Sequence, residues 1–461
     1  MSKSVVKQTM PFLLLLLAAT VAIFIPSLPH FDDGGKVYNP ADIAWVLVST
    51  ALVFLMTPGL ALFYGGMVHR KNVLSTMIKS VVAAGVVTVL WIVVGFSLAF
   101  GDSIHGIIGN PFTFLFYKGV NSGAPWSGAP TIPLTLFSIF QLMFAIITPG
   151  LVVGAVAGRI RFTSYITFIA LFSLFVYAPL AHWSWHPKGF LFGMGALDFA
   201  GGTVVHISAG CAALAGALVL KRRRVHIERK EVRPANIPYV LIGTGLLWFG
   251  WFGFNAGSAL AANALAVSAF ATTNAAAGAA GLAWMFFDVI KGKKPSVLGF
   301  CIGAVVGLVA ITPGAGFVAI PQSIFIGFIA AIVSNVVAHK ISHSKIDDTL
   351  DVFACHGLGG MVGMLLTGIF ATKTVNSSGA DGLFYGNPAF FFTQFKAMAI
   401  SVIYSFSASF LIFKLVNLIQ PLRVTTEEEE IGLDATQHDE KYLQGTLIVN
   451  KNGELSEEEI G

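Results

Sequence analysis

Residues 198–220 read DFAGGTVVHISAGCAALAGALVL, an acidic residue followed by an apolar run that carries one imidazole, His206. As an α-helix, a run of this length crosses a hydrocarbon core ~30 Å thick. Working outward, comparable runs cover 42–66, 74–99, 131–157 and 163–182 before it. After it come 236–257, 261–287, 296–312, 317–338, 351–371 and 390–419, which makes eleven in all with 197–220. Of the 461 residues 55% are hydrophobic and 11% charged, where soluble domains carry roughly a quarter charged residues. No soluble fold covers that much apolar surface. In lipid every backbone polar group must be paired within the protein, and the runs are too long for the ~10-residue strands of a barrel. The expected fold is therefore an all-α polytopic membrane protein, and its 49 glycines suit close helix approach.

The opening stretch has an echo. Asp198 stands eight residues before His206, and Asp348 stands eight before His356, with an offset of 150 between the pairs. Successive spans alternate in direction, so the helices bearing the two histidines run oppositely, as in five-plus-five inverted repeats with an eleventh helix added. Eight helical residues rise ~12 Å, which carries each histidine from its own face toward the middle of a ~30 Å core.

Charge gives the orientation. The net charge of +5 could point to nucleic acid, but the basic residues gather in alternate loops. Arg70 and Lys71, Arg159 and Arg161, the run from Lys221 to Arg233, Lys291 to Lys294, and Lys340 and Lys345 all fall on one side. That side is cytoplasmic by the positive-inside rule, so a nucleic-acid partner is not called for. The core then starts outside, ends inside and leaves the C-terminus cytoplasmic. Residues 10–28 add an apolar segment behind Lys3 and Lys7, with no small-x-small cleavage site after it; a signal peptide and an uncleaved twelfth span both fit. Past residue 420 the chain turns polar and acidic, through Glu427–Glu430 to Glu457–Glu459. A solvated tail and a partner-docking segment are both open there. The chain divides as 1–41, an N-terminal segment and outer linker; 42–420, the membrane domain; and 421–461, the tail.

A histidine inside a span is costly unless it meets a partner or a cavity. His206 and His356 could be interhelical glue, but their symmetric placement favours a shared pore. Neutral imidazoles offer one donor and one acceptor each, so the pair can relay hydrogen bonds or protons and pass small neutral polar molecules. A bare cation there would lose its hydration without return. Asp198 and Asp348 open their helices, where a carboxylate caps free amides; Asp198, at the outer end, would also favour an approaching cation. Aromatics at residues 248–254 (WFGWFGF) end at the outer face. They read as an interfacial belt or as faces for a cation, with the Ser258 hydroxyl beside them as an acceptor. Trp185, in the outer loop 182–185, and Phe144, in the third span, are further candidates for the same vestibule. Cys211, Cys301 and Cys355 lie inside apolar runs, and no zinc-like spacing surrounds the histidines. Neither a metal nor a cofactor is expected, and no His-Glu-x-x-His or similar spacing suggests an enzyme.

At these positions the sequence resembles the ammonium transporter (Amt/Mep/Rh) family, bacterial-type Amt, over about residues 42–443. The motifs are Met56 to Gly66 (MTPGLALFYGG) in the first span, Asp198 to His206 (DFAGGTVVH) in the fifth and Asp351 to Gly357 (DVFACHG) in the tenth. The resemblance implies an inner-membrane homotrimer with one pore per subunit. It assigns Phe144, Trp185 and Ser258, with Asp198 shaping the site, to ammonium recruitment. Phe144 and Phe254 become stacked rings closing the entrance, and His206 with His356 a twin-histidine relay. Ammonium would be recruited, deprotonated near the rings, passed as ammonia and reprotonated inside. Gly158 stands where many members have Glu, and Pro149 follows Phe144 by five residues, where it can bend the span. Residues 432–440 (GLDATQHDE) resemble the cytoplasmic motif, with Asp439 in place of its usual Gly, and imply docking of a PII-type signalling protein. An ammonium sensor reporting through the tail is the alternative to a transporter.

Overall fold

The computed structural model describes residues 3–25, 38–121, 124–442, 446–449 and 455–458. Ten helices among the described residues are long and apolar enough to cross a membrane. They are α2 (Pro40–Met67), α3 (Arg70–Phe100), α4 (Leu134–Val156), α5 (Phe162–Gly193), α6 (Gly202–Leu220), α7 (Ile237–Ala259), α8 (Ala264–Ile290), α10 (Ile320–Ser342), α11 (Phe353–Phe370) and α12 (Pro388–Ile419). Two shorter apolar stretches join them: Met10–Ile23, within helix α1 (Lys3–Ile23) at the N-terminus, and α9 (Val297–Ile311) between α8 and α10. The chain is thus an all-α polytopic membrane protein. The expected span at 296–312 is α9, and its 15 residues rise only about 22 Å before Thr312 and Pro313 turn the chain.

Local differences from the sequence reading have simple causes. Trp185 is not in a loop: α5 continues through a π-helical turn at Ser173–Tyr177 and keeps helical geometry to Trp185. Pro149 does not break α4, which runs unbroken from Leu134 to Val156. The long loop after α3 holds a two-residue hairpin, β1 (Ser103–Ile104) with β2 (Ile108–Gly109), and the tail holds another, β3 (Thr446–Val449) with β4 (Leu455–Glu458). Residues 26–37 and Glu459, part of the expected N-terminal segment and tail, lie outside the described residues.

The loops rich in basic residues meet at one end of the bundle. There Arg159, fully buried, donates to the Asp347 carbonyl at 2.5 Å and to Thr349 Oγ1 at 2.7 Å. Arg223 grips the Asp347 carboxylate at 2.9 and 2.8 Å. Burial alone would raise the Asp347 carboxyl, but the Arg159 charge and the Arg223 hydrogen bonds outweigh it and hold it below the usual carboxylate range.

Residues 421–442 pack on the same end instead of trailing free. Helix α13 (Thr426–Ile431) opens with a capping box between Thr425 and Glu428. Glu428 also takes two bonds from Arg161, at 3.1 and 2.7 Å. Lys71 donates to the carbonyls of Glu429 and Glu430 at 2.9 and 2.6 Å. Helix α14 (Leu433–His438) then places Asp434 on the start of α3, where it accepts from Leu74 N at 3.1 Å and Ser75 N at 2.7 Å.

Helices α6 and α11 cross at their glycines. A Cβ on Gly210 would lie 2.1 Å from Gly357 N, and one on Gly360 would lie 3.0 Å from Gly202 O. Both helices begin with a π-helical turn, Gly202–Ile207 and Phe353–Leu358, and each turn contains its histidine. Such turns are rare and concentrate at functional sites.

Candidate functional site

At the end opposite the arginines, α4, α5, α7 and the 194–201 loop surround a vestibule with about 230 Å³ open to the centres of water-sized solutes. Its lining includes Phe144, Trp185, Asp198 and Ser258, so the four expected recruitment residues share one chamber. Asp198 is nearly buried and spends its oxygens on the first turn of α6. Oδ1 accepts from Gly201 N at 2.8 Å and Gly202 N at 2.6 Å; Oδ2 accepts from Thr203 N at 2.8 Å and from the Thr203 hydroxyl. Gly201 makes this wrap possible, since its φ of 122° is open to glycine alone without strain. The Asp198 carbonyl in turn accepts from Trp185 Nε1 at 2.9 Å, which fixes the indole over the chamber. Asp348 repeats the cap on the other side, accepting from Val352 N at 3.0 Å and Phe353 N at 2.7 Å. Both aspartates therefore shape the site through the helix start they hold. Ser258 donates its proton to the Phe254 carbonyl at 2.8 Å, which leaves its oxygen free to accept from a ligand.

The vestibule floor is aromatic. Phe144 and Phe254 lie with ring centroids 4.3 Å apart and tilted by 40°, and Phe144 meets Trp185 edge-on at 5.9 Å. Below them Phe254 stacks on His206 at 5.9 Å, and His206 on His356 at 5.6 Å with 28° between planes. The sequence reading brought the two histidines together from opposite faces, and the structure places them in contact. Around them is a constricted cavity, with about 10 Å³ open to the centre of a water-sized solute, whose other lining residues, among them Met56, Leu60, Leu151, Leu247 and Val305, are apolar.

His206 is 1% exposed and His356 3%, yet both nitrogens of His206 and Nδ1 of His356 have no partner in the protein. A buried polar atom without a partner costs on the order of 1–3 kcal/mol, so native proteins seldom keep one without a use. These rings meet their neighbours by stacking, with the unpartnered nitrogens beside the cavity.

Thr312 and Gln141 escaped the sequence reading, and Trp251 was read only as one of the aromatics in 248–254. Trp251 stacks on His206 at 5.3 Å and 18°, and its Nε1 donates to Thr312 Oγ1 at 3.0 Å. Gln141 lines the vestibule with a buried, unpartnered Oε1. A signal existed for Trp251: residues 251, 254 and 258 follow the i, i+3, i+7 spacing of one helix face. Among the described residues no cluster of three His, Cys, Asp or Glu could hold a metal ion.

A helical membrane protein with a narrow apolar cavity under an aromatic vestibule belongs among transporters or channels for a small polar solute. The chain is a member of the ammonium transporter family, whose family model, described as "Ammonium Transporter Family", matches residues 44–442. It is 48% identical over 405 residues to the ammonium transporter of Aquifex aeolicus (strain VF5), covering 87% of this chain and 93% of that one. The crystal structure of Saccharomyces cerevisiae Mep2 superposes with a TM-score of 0.83 at 33% identity, covering 94% of this chain and all of that one. A structure described as "Sensor Amt Protein" gives 0.78 at 29% identity, over 86% of this chain and 98% of that one. The protein is thus a multi-pass ammonium transporter.

Proposed function

We propose that ammonium gathers in the vestibule, loses a proton beneath Phe144 and Phe254, and crosses as ammonia along His206 and His356. The observation that carries this reading is the histidine contact, 5.6 Å between centroids, with unpartnered nitrogens facing an apolar cavity. In the vestibule the faces of Phe144 and Trp185 attract a cation, and Ser258 Oγ offers it an acceptor. The charged form goes no further, because the cavity beyond offers no counter-charge and few acceptors. Ammonium gives up a proton to water at the base of the vestibule; ammonia passes, donating to and accepting from imidazole nitrogens in turn, and takes a proton from water at the arginine-rich end. The solute is carried and not converted, so the protein acts as a transporter and not an enzyme.

The same reading sets the arginine-rich end and the tail in the cytoplasm, by the positive-inside rule, with the protein in an inner (cell) membrane. It keeps the division into 1–41, 42–420 and 421–461, a homotrimeric assembly, and a PII-type protein as partner of the tail-bearing face. Sensing remains the second reading, favoured by the likeness to the sensor Amt structure. Methylammonium uptake in cells lacking other ammonium transporters discriminates. Transport by wild type that the His206→Ala/His356→Ala variant loses or alters supports the pore; no uptake by correctly inserted wild type supports the sensor.

A further inference from the structure

Helix α9 rises only about 22 Å, and the corner that ends it, Thr312 and Pro313, lies against the pore machinery. Three contacts converge on that corner. Thr312, fully buried, donates its hydroxyl proton to the Leu308 carbonyl at 2.7 Å and accepts from Trp251 Nε1 at 3.0 Å. The Pro313 carbonyl accepts from Phe199 N at 3.1 Å. The Pro313 ring fills the space a side chain on Gly202 would need, with Pro313 Cβ 2.6 Å from such a Cβ. Two residues thus touch both the indole stacked on His206 and the first turn of the helix that carries His206.

His206 receives no hydrogen bond from the protein, so its ring plane is set by its neighbours. Trp251 is the flattest and closest of these, at 5.3 Å and 18°, against 5.9 Å for Phe254 and 5.6 Å for His356. Trp251 is itself 2% exposed, and its bond to Thr312 fixes its rotation about the ring axis.

We propose that Thr312 is a positioning residue of the pore, which sets the tilt of His206 through Trp251 and so the width of the passage and its selectivity between ammonium and larger analogues. This rests on the pore reading above. Without the Thr312 hydroxyl the buried indole N–H has no partner, and the ring gains freedom to rock away from His206. The passage then widens where methylammonium, one methyl larger than ammonium, is the more hindered solute.

The test compares Thr312→Val, which keeps the shape and removes the hydroxyl, with Thr312→Ser, which keeps the hydroxyl. Trp251→Phe, which keeps a ring and removes the donor, serves if Thr312→Val does not insert. Each is reconstituted in liposomes, and methylammonium and ammonium fluxes are measured on the same preparation, so that misfolding, which scales both alike, leaves their ratio untouched. Thr312→Val or Trp251→Phe should raise the methylammonium-to-ammonium ratio by roughly fivefold, what one buried hydrogen bond is worth, while Thr312→Ser matches wild type. A ratio unchanged or lowered in both variants, while His206→Ala does alter the fluxes, overturns the role of Thr312 and leaves the pore reading standing. If His206→Ala also leaves both fluxes at wild-type values, the pore reading itself fails.

Discussion

Replacing Gly210 by alanine should push α6 away from α11 and with it separate the two imidazoles. The added Cβ would stand 2.1 Å from Gly357 N and 2.2 Å from Gly357 Cα, where ordinary contact begins at 3.4 Å. Both obstructing atoms are backbone, so no rotamer change relieves the clash; the helices must part by roughly 1 Å. Overpacking of this kind typically costs ~1–3 kcal/mol, and the rigid obstacle puts Gly210→Ala near the upper end. Gly360 supplies a graded comparison. Its Cβ would meet Gly202 O at 3.0 Å and His206 Cβ at 3.1 Å, so Gly360→Ala should cost less. Gly85, on an exposed face of α3, has nothing within 4 Å. Gly85→Ala should be neutral or gain ~0.5–1 kcal/mol, as for a helix-interior glycine. Thermal unfolding of the detergent-solubilised protein, followed by size-exclusion, should rank the variants Gly85→Ala, Gly360→Ala, Gly210→Ala from most to least stable. Methylammonium uptake per inserted molecule should fall in the same order. Wild-type stability and uptake in Gly210→Ala would refute the close crossing that brings the histidines together.

Other expectations concern the two ends of the bundle. Ser258→Ala removes the acceptor offered to a cation in the vestibule, and the KM for ammonium should rise on the order of tenfold, the scale of a hydrogen bond to a charged group; an unchanged KM argues against recruitment there. Asp347 is held ionised by Arg159 and Arg223, so its contribution is present above the ordinary carboxylate value near ~3.9 and is lost as pH falls through its lower folded value. The stability gap between wild type and Asp347→Asn should therefore be wide at pH 7 and begin to shrink only below about pH 4; a gap that ignores pH removes the ionic account. Lys79, buried in α3 and bonded to Ser75 O and Oγ at 3.0 and 2.5 Å, lies beside Asp434, which holds Ser75 N. Asp434→Asn turns an NH2 toward one of the two amides it accepts from and should cost ~1–3 kcal/mol, as for a buried donor left without its acceptor; wild-type thermal stability would remove the capping role of Asp434.

What could be read from the sequence follows from how far each signal carries along the chain. The spans and the histidine pair were legible because apolar length and the repeated Asp-to-His spacing are one-dimensional signals. The contact between His206 and His356 could be foreseen because opposite helix directions and equal depths leave one meeting place. Trp251 was visible but ambiguous, since a tryptophan near a membrane face has an interfacial use as common as a pore use. Thr312 was not legible: it is 61 residues from Trp251, and only the packing of α9 against α7 brings it to the pore. The docking of residues 421–442 was half legible, because an acidic run has no pattern that distinguishes solvation from complementarity to Arg161, Arg224 and Lys71 on distant loops.

Whether the solute crosses along His206 and His356 is decided by ammonium-evoked current and flux in liposomes holding wild type or the His206→Ala/His356→Ala variant at equal density. A marked fall in ammonium flux, or loss of its selectivity, in the variant is the predicted result, and the paired current record separates movement of charge from conduction of neutral ammonia. Flux, selectivity and current all equal to wild type in a correctly inserted double variant would contradict the account.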